Sequence, residues 1–229
     1  KSNLFTSFKI YEDLSRGYND RYSFVLPDFN FKRQIDIPEN YNGVFTFSSS
    51  GHNKFHNTNV RDTALINDFN FGSNENTTLN GLISNYYLLL KNTNRNSDNP
   101  SNPNNNEDYD LYQTIKYDLR LPLIKRSNEY VKYLEPIACL RYSPNGDKDI
   151  SGSGLTINYN NAFSMDRIGD NSQVEGGEAL TIGMEYRIKD NNLYKDIFQV
   201  RIANILKPKK NYKMPKKSKL NETRSDIFG

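Results

Sequence analysis

The chain has 229 residues with a formal net charge of +3, 35% hydrophobic and 13% aromatic residues, sixteen Tyr, thirteen Phe, no Trp and one Cys. A charge this small does not argue for nucleic acid, a single cysteine excludes an internal disulfide, and no apolar run is long enough to cross a bilayer as a helix. Many aromatics in a polar chain fit neither a disordered segment nor an ordinary packed core, but they do fit a β-barrel that is apolar outside and wet inside.

Strand-like runs follow one another along the chain. The first candidates cover residues 4–11, 22–31, 43–49, 63–71 and 78–91. The clearest period-two alternation comes later, with Ile115, Tyr117, Leu119, Leu121 and Leu123 separated by Lys116, Asp118, Arg120 and Pro122. Residues 131–142 alternate less cleanly, and a weak version (Leu155, Ile157, Tyr159) covers 155–159. Leu180, Ile182, Met184, Tyr186 and Ile188 alternate with Thr181, Gly183, Glu185 and Arg187, and 198–202 repeats the pattern through Phe198, Val200 and Ile202. Each is a strand with one apolar and one polar face. Together they predict about ten antiparallel strands, most near the ~9–11 residues a tilted membrane strand needs. Pro27, Pro122 and Pro136 are expected near strand ends, because proline removes a ladder donor.

The connectors divide into long and short. Residues 92–108 hold eight Asn in seventeen positions plus Pro100 and Pro103, and read as a loop. Residues 143–147 and 189–192 read as compact turns. Residues 207–219 carry seven lysines in thirteen positions. They read either as a clamp for anionic headgroups or as a disordered basic loop, the latter favoured because no apolar face accompanies the charge. With no signal peptide, Lys1 at the start and Gly229 inside an apparent strand, the sequence reads as a fragment.

Residues with possible chemistry are few. Lys116, Arg120, Arg141, Arg187 and Arg201 fall on the polar side of their strands and suit phosphates or carboxylates through charge-assisted hydrogen bonds. Asp118, Glu135 and Glu185 share that face, so ordinary solvation of a barrel interior competes with ligand contact. His52 and His56 have a metal spacing only on a helix, which Gly51, Asn53 and Asn57 oppose, so no metal is expected. Cys139 reads as a small packing residue, and no catalytic set or cofactor motif is found. Glu175 lacks a partner acid or nucleophile; its expected task is to anchor a loop, with Arg167 as its ion-pair partner. Gly176 and Gly177 supply the positive φ of a tight turn.

Four blocks carry a family likeness: Arg167 with Val174-Glu175-Gly176-Gly177 and Gly183-Met184-Glu185-Tyr186; Asp20-Arg21-Tyr22 with Leu26-Pro27; Pro136 with Leu140-Arg141-Tyr142-Ser143-Pro144; and Arg224-Ser225-Asp226-Ile227-Phe228-Gly229. In this order they resemble the LPS-assembly outer-membrane protein family LptD (OstA/Imp), from Asp20 to Gly229. Glu178 stands where threonine is usual, and Gly169-Asp170-Asn171-Ser172 replaces a phenylalanine-rich approach. The resemblance implies an all-β, antiparallel transmembrane β-barrel, of which residues 1–229 are part of the C-terminal domain. It implies a non-enzymatic translocon in the cell outer membrane of a Gram-negative bacterium that delivers lipopolysaccharide to the outer leaflet. The implied partners are an LptE-type plug lipoprotein, periplasmic LPS bridge proteins and outer-membrane lipid, with no nucleic acid. Periodicity alone leaves two alternatives open: another outer-membrane barrel such as a porin or receptor, and a soluble carbohydrate-binding β-sandwich. The sandwich requires the apolar faces to pack against each other; the barrel requires them to stay uncovered by protein.

Overall fold

A computed structural model describes residues 1–14, 21–56, 60–98, 107–145, 149–152, 155–168, 173–191 and 195–229. The described residues form one antiparallel, unclosed sheet of eleven strands. They are β1 (Ser2–Glu12), β2 (Tyr22–Ile35), β3 (Gly43–His56), β4 (Arg61–Ser73), β5 (Asn76–Thr77), β6 (Ile83–Ser97), β7 (Asp108–Arg120), β8 (Leu123–Arg126), β9 (Tyr130–Ser143), β10 (Gly177–Asp190) and β11 (Asp196–Leu206), with one short helix, α1 (Tyr159–Ala162). The hydrogen-bonding order is β1-β2-β3-β4-β6-β7-β9-β10-β11, and β5 and β8 are short pieces on β6 and β9. The chain divides into two compact units, Lys1–Phe71 with Leu89–Gln113, and Gly72–Leu88 with Thr114–Gly229.

In the first unit, β2 pairs with β1 from Ser2↔Arg33 to Glu12↔Tyr22 and with β3 from Ile35↔Phe45 to Ser23↔His56. Pro27 does not sit at a strand end. It lies inside β2 at a bulge, where the register with β3 shifts between Val25 and Asp28 and the missing donor has no ladder bond to make. Ser23, Val25, Ala64, Leu89, Lys91 and Thr93 are buried on one face, where Lys91 Nζ lies 3.1 Å from Asp68. Phe24, Phe55, Leu65, Phe69 and Leu90 are exposed on the other.

The second unit shows the same inversion more fully. β9 and β10 pair without interruption from Ser143↔Gly177 to Tyr130↔Asp190, and β11 pairs with β10 from Leu180↔Leu206 to Ile188↔Phe198 before a register shift. Thr114, Lys116, Arg141, Ser143 and Thr181 are buried, whereas Ile115, Tyr117, Leu140, Tyr142, Ile182 and Val200 are exposed. Ile182 keeps 43% of its surface while its neighbour Thr181 keeps none, the reverse of a water-soluble sheet. Along β10 the apolar-face positions, half-buried or exposed, run from Leu180 to Ile188. At ~3.4 Å per residue and a tilt near 40° they cover about 21 Å, close to the ~25 Å band of a membrane barrel.

Several sequence expectations are corrected. Residues 92–97 are strand, not loop, because β6 continues to Ser97, where Asp98 N donates to Arg61 O at 2.9 Å; 99–106 lie outside the described residues. Residues 155–159 form no strand. Among the described residues no ladder partner meets them, Asn158 instead caps α1, and Ile157 N donates to Ser218 Oγ at 3.1 Å. The 115–123 run is broken at Pro122, where β7 gives way to β8, so that proline does stand between strands. Pro136 lies within β9. Its carbonyl accepts from Leu121 N, and since both main-chain groups of a strand residue point to one edge, its absent N–H faces the β7–β8 break and costs no bond. The 143–147 and 189–192 turns fall partly outside the described residues, and Lys189 and Asp190 belong to β10.

Residues 207–219 are not a disordered loop. Met214 is fully buried, a 3-10 turn covers Lys217–Lys219, and Leu220 follows into the core. Beyond them Phe228 exchanges two main-chain hydrogen bonds with Ala203, at 2.9 and 2.8 Å, so the C-terminal residues run along the edge of β11. A small core results on the buried side of β10 and β11. It joins Ile157, Ala162 and Ile168 of the long β9–β10 connection to Ala203, Ile205, Met214 and Phe228.

Candidate functional site

The connection between β9 and β10 returns to the sheet through Val174 and Glu175, both fully buried, and turns into β10 at Gly177. Gly177 has φ +83°, the left-handed region that glycine enters without a Cβ penalty; Gly176 does not share it. The turn delivers the Glu175 carboxylate into a cluster of cations. Arg167 Nε donates to Glu175 Oε2 at 2.8 Å and its Nη1 donates to Thr181 Oγ1 at 3.2 Å. Lys207 Nζ lies 2.6 Å from Glu175 Oε1 and also donates to Leu220 O at 2.8 Å. Arg141 Nη2 donates to Glu175 O at 2.6 Å and its Nε to Met165 O at 2.9 Å.

Burial pushes the Glu175 carboxyl up, but the charges of Arg167, Lys207 and Arg141 outweigh it and hold the carboxyl down at about 2. The group is therefore ionised at any physiological pH. The expected Arg167–Glu175 ion pair is present, and Lys207 is a partner the sequence reading did not assign to it. Its signal was parity, since Lys207 continues the buried set Ala203 and Ile205 of β11.

Other strand side chains hold the same connection. Lys116 Nζ donates to Phe163 O at 2.9 Å and to Asp118 at 2.7 Å, with the Tyr87 ring 4.4 Å away. Thr181 Oγ1 donates to Ala162 O at 3.3 Å. Gly183 admits Phe163: a Cβ there would stand 2.8 Å from the ring and 2.5 Å from Ile202 O. Cys139 is buried in β9.

The three remaining basic residues are only partly covered. Arg120 pairs with Glu75, with Glu135 at 3.8 Å; Arg187 lies 3.7 Å from Asp196 and over the Tyr133 ring; Arg201 lies 3.3 Å from Glu185 and over the Tyr159 ring. Tyr186 is on the opposite, apolar face, edge-on to Phe198 at 6.1 Å. His52 and His56 both stand on β3, with His56 3.4 Å from Asp62. On the exposed side an open groove of about 480 Å³ is lined mainly by apolar residues, among them Ile115, Leu140, Leu180 and Leu206, with Arg141, Glu178 and Lys207 also contributing to its wall.

The arrangement can fasten a long connection to a polar sheet face and leave an apolar face free for hydrocarbon. The family model described as LptD, LPS transport system D, matches residues 3–229. No curated protein gives a significant match. With its all-β antiparallel sheet and a match over nearly its whole length, the chain belongs to the LptD family of outer-membrane proteins, which act in LPS transport and outer-membrane assembly.

Proposed function

We propose that this chain is wall and inner lining of an outer-membrane translocon that delivers lipopolysaccharide to the outer leaflet of a Gram-negative cell. The observation that carries the reading is the inverted burial of the second unit, with Lys116, Arg141 and Thr181 covered and Ile115, Leu140 and Ile182 bare. A sheet of this kind has its low free energy with lipid against the apolar side and with water, polypeptide or polar ligand against the other. The groove between Leu140 and Leu180 is apolar enough to take an acyl chain. Arg120, Arg187 and Arg201 offer guanidinium groups suited to lipopolysaccharide phosphates, and Lys116 and Arg141 hold the connection beside them. In this reading the 174–177 turn and its cation cluster shape the inner surface of the passage. The partners are an LptE-type plug lipoprotein and the periplasmic bridge proteins that hand over the substrate.

The test is delivery itself. The full-length protein, reconstituted with its plug partner, is expected to move lipopolysaccharide to the outer leaflet of proteoliposomes, and deletion of 174–178 is expected to impair it. Normal delivery after that deletion would remove the role given to the turn. Solute conductance that ignores the plug partner would favour a porin instead.

A further inference from the structure

The exposed face of the first unit changes chemistry along its strands. One part is a cluster of phenylalanines, with ring centroids 4.8 Å apart for Phe47 and Phe69, 6.2 Å for Phe45 and Phe69 and 6.1 Å for Phe31 and Phe47. Moving along β3, β4 and β6 toward the 57–60 and 98–107 connections, the same face becomes amide and hydroxyl. Ser49 Oγ donates to Asn67 Oδ1 at 2.8 Å, Asn67 Nδ2 donates to Asn92 Oδ1 at 3.4 Å, and Asn94 Nδ2 donates to Asn92 Oδ1 at 2.7 Å. Closer to the strand ends, Arg61 Nε and Thr63 Oγ1 donate to Asn53 Oδ1 at 3.0 and 3.2 Å, and Arg61 lies over the Phe55 ring at 5.0 Å. Phe55 and Leu65 stay exposed among these polar groups.

We propose that this collar docks the saccharide headgroup of the lipid in the adjoining leaflet. Hydrocarbon would penalise the amides, so its boundary runs through Ser49, Asn67 and Asn92, with the phenylalanines below it. From Asn67 to Arg61 the strand rises ~20 Å, about 15 Å along the membrane normal at a ~40° tilt. An ordinary headgroup layer is only about 5–8 Å deep, so the collar is matched to a lipid with a much thicker head. Its chemistry agrees. Amides and hydroxyls pair with sugar hydroxyls, Phe55 and Leu65 suit the C–H faces of sugar rings, and the Arg61 guanidinium is placed to meet a phosphate.

The proposal rests on the reading that the apolar face lies in the membrane, and the experiment separates the two. A photoreactive side chain is placed at Leu90, among the apolar residues, or at Asn96, past the amide row, in the full-length protein. The vesicles are phosphatidylethanolamine with or without lipopolysaccharide, and the captured species are identified by mass. The probe at Leu90 is expected to capture acyl chains in both vesicles, and that at Asn96 to capture lipopolysaccharide through its saccharide. Adding Asn67→Leu with Asn92→Leu is expected to lower capture at position 96 about fivefold, as for loss of two exposed hydrogen bonds, and to leave position 90 unchanged. Capture at 90 with none at 96, capture of a protein at 96, or capture there indifferent to the double substitution would each overturn the proposal alone. No lipid at either position would overturn the membrane reading and the proposal with it.

Discussion

Replacing Glu175 by Gln keeps the shape of the side chain but removes the charge that three cations surround. Its carboxyl sits at about 2 in place against 4.5 when free, a difference of about 2.5, and at about 1.4 kcal/mol per unit this is about 3 kcal/mol of docking free energy for the connection. The figure agrees with the ~3–5 kcal/mol expected when one member of a buried ion cluster is removed and its partners stay buried. Because the docked value is depressed, this stabilisation is complete above about 4.5 and disappears as the pH falls through about 2. At neutral pH, Glu175→Gln should increase opening of the connection about 100-fold, since 1.4 kcal/mol is a factor of ten. Hydrogen exchange at the Ala162 amide, which donates to Asn158 O at 3.0 Å, reads that opening in the detergent-folded full-length protein. In the native protein the same amide should lose its protection between pH 4.5 and 2, after correction for intrinsic exchange, and in the variant it should show no such step. A variant that exchanges within threefold of the native protein, or a pH step that survives the substitution, would refute the view that the cluster fastens the connection.

Three further outcomes follow from single positions. Gly183→Val should destabilise the fold by about 1–3 kcal/mol, and Phe163→Ala should not rescue it, because the Cβ also meets the immobile Ile202 carbonyl at 2.5 Å; heat-modifiable gel mobility reports both. Gly177→Ala should cost about 1 kcal/mol in chemical unfolding through its φ of +83°, since no atom lies within 4 Å of the added Cβ, and a neutral result would mean that the left-handed conformation is not what this glycine supplies. Ile182→Arg should cost about 2–4 kcal/mol for folding into a bilayer although the side chain is 43% exposed, and a neutral result would show that water, not lipid, meets that face.

What was legible in the sequence was the two-faced pattern. Alternation through 115–123 and 180–188 separates Lys116 and Thr181 from Ile115 and Ile182, and the structure buries and exposes them in that division. Strand extent was less legible where local preference is weak. Residues 48–51, Ser-Ser-Ser-Gly, have little β propensity of their own. They are strand because β2 pairs with them, Lys32 opposite Ser48 and Phe29 opposite Gly51. The reverse error at 155–159 has the same cause: alternation creates no strand where no neighbour supplies a ladder. Lys207 was hidden by its surroundings. Six further lysines in the stretch suggested a solvated run, whereas burial of Met214 and Leu220 turns the segment back onto the sheet and brings one of its ammonium groups to Glu175.

The basic residues on the polar face are not equivalent, and the difference comes from main-chain chemistry. A buried irregular connection must find donors for its carbonyls, since neither a ladder nor bulk water is there to satisfy them. The sheet provides them as side chains: Thr181 for Ala162, Lys116 for Phe163, and Arg141 for both Met165 and Glu175. Withdrawing Lys116 or Arg141 to meet an anionic ligand would strand those carbonyls at a cost of about 1–3 kcal/mol each. Arg187 and Arg201 carry no such obligation. Their carboxylate partners lie at 3.7 and 3.3 Å and their side chains keep 38% and 41% of their surface, so these ion pairs are weak and water-screened. A phosphate can exchange with Asp196 or Glu185 at little cost. Binding of lipopolysaccharide by this face should therefore be weakened on replacing Arg187 and Arg201, whereas replacing Lys116 or Arg141 should first loosen the connection that they hold.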